Sequence, residues 1–137
     1  GYGYAKLSKV KQAEFNKNVS HFLNGRSNLK QVFALIDSQL EPLDSDLAFV
    51  DWLQECDIPY AIILTKIDRS TNSKISNNEG KLIKALHDYG LRPTKIFKCS
   101  AKTKNGRSVL LNWIESHLPR VQKKKKRNAI QLEWMKK

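Results

Sequence analysis

Residues 65–68 read Thr-Lys-Ile-Asp and directly follow the apolar run Tyr60-Ala61-Ile62-Ile63-Leu64. Thirty-two positions beyond Asp68, Ser100-Ala101-Lys102 ends a second apolar run, Ile96-Phe97-Lys98-Cys99. Short polar motifs at the carboxyl ends of parallel strands line the ligand crevice of an open α/β sheet. A carboxylate at Asp68 can accept two hydrogen bonds from a guanine edge, from the ring N–H and the exocyclic amine; adenine offers no matching donor pair. The aliphatic stem of Lys66 can lie over a purine ring. A backbone N–H near Ala101 can meet the guanine carbonyl. Thr65 either touches the ligand or orders the turn through its hydroxyl. Thr-Lys-x-Asp alone also fits a solvated strand-to-helix turn, but the Ser-Ala-Lys turn at this distance weighs against that. The pattern predicts a guanine-reading crevice built from Thr65, Lys66, Asp68, Ser100 and Ala101.

Those motifs need strands to hold them. Val32–Ile36, Tyr60–Leu64 and Ile96–Cys99 are short apolar runs, as in strands buried on both faces of a parallel sheet. Helical spacing separates them. Leu7, Val10, Val19, Phe22 and Leu23 mark a helix from Ser8 to Asn24 with Gly25 after it. Leu43, Leu47, Val50 and Leu53 mark a second, capped by Asp44 or Ser45. Leu82, Ile83 and Leu86 mark a third, closed by Gly90, and Val109, Leu110, Trp113, Ile114 and Leu118 a fourth, stopped by Pro119. The order α-β-α-β-α-β-α predicts right-handed crossovers and an α/β fold of three layers with a mainly parallel sheet. Segment 69–80 is polar and turn-rich and is expected to be a mobile loop beside the crevice. Three strands apolar on both faces leave a hydrophobic edge, so partner strands are expected to be absent from this chain.

Composition bounds the rest. The 137 residues suffice for one core, and a hydrophobic content of 40% with 12 aromatics argues for a globular body. Net charge is +12, and residues 120–137 hold eight Lys/Arg against Glu133, so +7 of it sits in the tail. That balance favours polyanion partners, since each phosphate contact releases counterions. Cys56 and Cys99 are too few for a disulfide framework and read as part-buried thiols. No membrane span or signal peptide is visible, so no membrane partner is expected. His21, His87 and His117 lie on helices outside any metal-ligand spacing. Asp37, at a strand end, is expected to cap the crevice rather than touch ligand. Trp52 and Trp113 fit apolar helix faces.

On these residues the chain resembles the carboxyl-terminal half of P-loop GTPases of the EngB/YsxC group, which assist assembly of the large ribosomal subunit. The resemblance covers about residues 1–119. Thr65, Lys66 and Asp68 match the guanine-specificity motif, and Ser100 and Ala101 the next base-contact loop. Asn28-Leu29-Lys30, Leu35-Ile36-Asp37-Ser38 and Ile58-Pro59 also match. Gly1-Tyr2-Gly3-Tyr4-Ala5 looks like the end of the family's Asp-x-Pro-Gly switch motif, with Gly1 near the γ-phosphate and Tyr2 where Ras-like enzymes carry a water-orienting Gln. No GxxxxGK[ST] occurs in the chain. The resemblance therefore implies that the amino-terminal half, with P-loop, switch I and the Mg²⁺ ligands, lies outside it, and that no catalytic residue lies inside it. In the family fold the missing first strand pairs with the strand at Val32–Ile36.

Two functions stay open. One is a GTP/GDP-dependent switch on the large ribosomal subunit and its rRNA, monomeric, in a bacterial cytoplasm or else an organelle matrix. The other is a pseudo-GTPase or RNA-binding module that keeps the scaffold without hydrolysis. Expressed alone, residues 1–137 are expected to be poorly soluble and inactive toward GTP. The chain divides into 1–119, a GTPase half-domain, and 120–137, a basic tail. In that tail Lys123, Lys124, Lys125, Lys126, Arg127 and Trp134 are candidate RNA contacts; Trp134, with Ile130, Leu132 and Met135, could instead dock on protein or on the body.

Overall fold

The computed structural model describes residues 9–118. Gly1, Tyr2, Leu7, Ser8, Pro119 and the whole tail, Lys123 to Arg127 and Trp134 included, lie outside the described residues. The elements run α1 (Lys9–Asn24), β1 (Val32–Asp37), α2 (Asp44–Glu55), β2 (Tyr60–Thr65), α3 (Asn72–Asp88), β3 (Ile96–Lys98) and α4 (Arg107–His117). A 3-10 turn, Ile67–Arg69, follows β2.

The sheet is parallel throughout, in the order β1-β2-β3. Val32 pairs with Tyr60 and Asp37 with Thr65, so the two strands end level. Alternation along each strand feeds two apolar layers. Ala34, Ile36, Tyr60, Ile62 and Leu64 enter the larger layer, with Val50 and Leu53 of α2 and Leu82 and Leu86 of α3. Ala61, Ile63 and Phe97 face the other way, against Phe33, Leu110 and Trp113. Trp113 meets Phe97 and Phe33 edge-on at 5.5 and 6.0 Å, an arrangement the aromatic quadrupole favours. Trp52 packs against the first layer. This is the expected α/β architecture, with β2 central.

Several local expectations need correction. Segment 69–80 is no mobile loop, because residues 72–80 form the first half of α3. The Thr71 hydroxyl caps that helix by accepting the Lys74 N–H at 3.2 Å, and Ile75, Asn78, Leu82 and Leu86 fall on one buried face. The polar composition hid that period of three and four. Ile83 and Phe22, both read as markers of helical spacing, lie on helices but are exposed, and the Arg26 guanidinium lies 3.9 Å from the Phe22 ring. Neither Asp44 nor Ser45 caps α2; Leu43 occupies that position, with Asp44 and Asp46 in the first turn where the helix dipole favours them. β3 stops at Lys98, one residue short of Cys99.

The turns after α2 and α3 share one design. The Ile58 N–H reaches the Leu53 carbonyl at 2.9 Å, and Leu91 reaches Leu86 at 2.8 Å, each around a left-handed residue, Asp57 (φ 55) and Gly90 (φ 67). Each turn buries its apolar pair, Leu53 with Ile58 and Leu86 with Leu91, as such helix ends commonly do.

Candidate functional site

β1 and β2 end level, and their carboxyl ends, with the segment after β3, wall a cavity of about 910 Å³. Thr65, Lys66, Asp68, Ser100 and Ala101 all line it, so the five residues named from sequence converge on one crevice. Asp37, Cys99, Lys102, Lys104, Arg107 and Leu110 complete much of its wall.

Each side chain is held from a different element. Thr65, the last residue of β2, donates its hydroxyl to the Ile36 carbonyl at 3.3 Å, which ties the two strand ends together. Lys66 then turns left-handed (φ 60), and its Nζ lies 3.1 Å from Asp37 Oδ2. The expected cap on the crevice is thus an ion pair. Burial works against ionisation of Asp37, but the Gln39 N–H and the Lys66 ammonium outweigh it and hold the carboxyl below the usual range.

Asp68 stands in the 3-10 turn, and its Oδ1 accepts the Ser100 hydroxyl at 2.7 Å. That hydrogen bond is the main reason its carboxyl also sits below the ordinary carboxylate range. Ser100 is buried and works twice, since its oxygen also accepts the Thr103 N–H at 3.1 Å. The Ser100 N–H donates to the Asn105 carbonyl at 3.0 Å, closing the loop on itself. Gly106 then passes so near β3 that a Cβ there would sit 2.0 Å from the Lys98 carbonyl oxygen; with φ +80, only glycine fits. Ala101 lines the same crevice, and its N–H makes no hydrogen bond to the described residues.

This arrangement can recognise a planar base with two adjacent donors and one acceptor. Asp68 brings a carboxylate to the crevice, Ala101 an N–H, and Lys66 an aliphatic stem. Motif reading did not reach Asn105, Gly106 or the Asp37–Lys66 pair; the Asn-Gly dipeptide was the one local signal of a tight turn there. His21, His87 and His117 are exposed, and among the described residues no group of three or more His, Cys, Asp or Glu could hold a metal ion. Cys56 and Cys99 are free and part-buried, and burial pushes the Cys99 thiol up. No described helix is long and apolar enough to cross a membrane.

No family model matches the chain. Individual proteins do. The probable GTP-binding protein EngB of Phocaeicola vulgatus is 35% identical over 116 residues, covering 85% of this chain and 58% of that protein. The Pediococcus pentosaceus protein of the same name is 35% identical over 118 residues, covering 86% and 60%. That of Latilactobacillus sakei reaches 37% over 116 residues, covering 84% and 57%. Among solved structures, the apo form of translation elongation factor SelB from Methanococcus maripaludis superposes with a TM-score of 0.57 at 24% identity, over 64% of this chain and 19% of that one. That likeness concerns the fold, which is that of part of a P-loop GTPase. The chain is a partial EngB-like region, spanning about three-fifths of the length of the curated relatives it matches.

Proposed function

We propose that this chain supplies the guanine-recognition part of a GTP-binding protein, which acts as a GTP-dependent switch in assembly of the large ribosomal subunit. One observation carries the reading: Asp68 lines the crevice with its carboxylate fixed by the 2.7 Å hydrogen bond from the buried Ser100. Two carboxylate oxygens facing one base edge select guanine over adenine by donor count. Ser100 orients Asp68, Ala101 donates to the base carbonyl, Lys66 covers the ring, and Thr65 keeps the strand ends together. The names of the relatives, all probable GTP-binding proteins, support the same ligand. Mg²⁺ would accompany GTP, and among the described residues no group of three or more His, Cys, Asp or Glu could hold it.

The wider reading places the protein as a monomer in the bacterial cytoplasm, with Gly1 near the γ-phosphate and the tail on rRNA. Lys123, Lys124, Lys125, Lys126 and Arg127 would each displace a counterion from a phosphate backbone, and Trp134 would stack on an unpaired base. The alternative is a pseudo-GTPase or RNA-binding module that keeps the scaffold without nucleotide hydrolysis.

The test is Asp68→Asn in the intact protein. The amide puts a donor where the carboxylate accepted, so GDP binding should weaken roughly a hundredfold while xanthosine diphosphate gains. Titration calorimetry with the two diphosphates reads both. GDP bound as tightly by the variant as by the parent would sink the assignment.

A further inference from the structure

We infer that Asp37 is the positioning residue for Lys66, holding its ammonium so that the lysine stem forms one wall of the base slot; this rests on the guanine reading above. Asp37 closes β1 and pairs in register with Thr65, so Lys66 is the first residue past the adjacent strand end. The left-handed turn at Lys66 (φ 60) starts the 3-10 turn that carries Asp68. Its Nζ lies 3.1 Å from Asp37 Oδ2.

The carboxylate is itself fixed. Asp37 Oδ1 accepts the Gln39 N–H at 2.9 Å and the Gln39 side-chain amide at 3.3 Å, which leaves Oδ2 for the lysine. Asp37 is largely covered, its side chain 15% exposed, whereas Lys66 is 49% exposed. A well-held acceptor therefore anchors the free end of a mobile side chain, and both line the crevice. A lysine tied only at its Cα would sample many rotamers and lose that freedom on binding. Tied at both ends, its stem is already laid along the wall when the base arrives, so ligand binding is spared that ordering cost.

The experiment is a double-mutant cycle in the intact protein, with Asp37→Asn, Lys66→Met and both together, read by GDP titration and by thermal melting. Methionine keeps an apolar stem and removes the ammonium, and Lys66 is exposed enough for the variant to fold. Asp37→Asn should weaken GDP binding about five- to tenfold in the parent and less than twofold in the Lys66→Met background. Its effect on the melting midpoint should not track that difference. Equal weakening in both backgrounds, or none in either, overturns the role. If the cycle shows no coupling while Asp68→Asn still switches preference to xanthosine diphosphate, Asp37 alone loses its assignment. A parent that binds no GDP overturns the guanine reading and this inference together.

Discussion

The two segments that build the crevice, residues 65–69 and 100–106, start alike and are held differently. Both follow the end of a parallel strand, and both contain a left-handed lysine, Lys66 (φ 60) and Lys104 (φ 62). The first is fixed from outside, with Lys66 on Asp37 and Asp68 on Ser100. The second closes on itself, through Ser100 N–H to Asn105, Thr103 N–H to Ser100 Oγ, and Gly106 against the Lys98 carbonyl. The difference follows from what each presents. A segment that offers side chains can borrow its anchors, one partner per side chain. A segment that offers a backbone N–H, as Ala101 does, must fix the backbone itself. Substitutions in the first should therefore act mainly on ligand binding, and those in the second mainly on stability.

The largest expected effect tests the self-closed segment. Gly106→Ala sets a Cβ against a backbone oxygen in a left-handed conformation, and nothing flexible is there to give way. It should cost about 4 kcal/mol of unfolding free energy in denaturant titration. A loss under 1 kcal/mol would mean that the loop relaxes and is not rigid.

Ser100→Ala sits where the two segments meet. It removes the acceptor of the Thr103 N–H, which water can replace because Thr103 is exposed, and should cost about 1 kcal/mol of stability. It should also let the Asp68 carboxyl rise toward the ordinary range, since the Ser100 hydroxyl is the main cause of its depression. The sign is fixed by linkage. A carboxyl with a folded-state pKa below its unfolded value, about 3.9 for Asp, stabilises fully above that value; the contribution disappears as pH falls through the folded one. The variant should therefore show a shallower loss of stability than the parent below about pH 4. Carbon NMR titration of the Asp68 carboxyl checks this directly, and an unchanged midpoint would sever the link between the segments.

The smallest effect separates strain from function. Lys104 is exposed and left-handed, so Lys104→Gly exchanges a conformational penalty for a larger unfolded-state entropy. The balance should be a gain of about 0.5 kcal/mol with GDP affinity unchanged. A marked loss of affinity would show that Lys104 is a ligand contact as well as a turn residue.

Much of this was legible along the chain. The runs at Val32, Tyr60 and Ile96 became three parallel strands because each is apolar on both sides, and such a run has few other places to go. Gly90 signalled its left-handed turn; Asp57 performs the same turn unannounced, because aspartate has many other uses. The helix over 72–80 was missed for a related reason. Its exposed faces carry Asn, Ser, Lys and Gly, and its buried stripe begins with only Ile75 and Asn78. Asn78 belongs in the interior because its amide donates to the Ser38 carbonyl at 2.9 Å, a partner 40 positions away that no local pattern names.

By itself, then, the sequence determined which residues are candidates for the chemistry and the order of strands and helices. Residue type and local periodicity suffice for both. Only the tertiary structure decided how those residues are held: Asp68 on Ser100 across 32 positions, and Lys66 on Asp37 across 29. Such contacts depend on strand register and on where each loop turns back. Register is set by the whole apolar pattern of the sheet at once, and a hydrogen bond's worth depends on distances that no single segment contains.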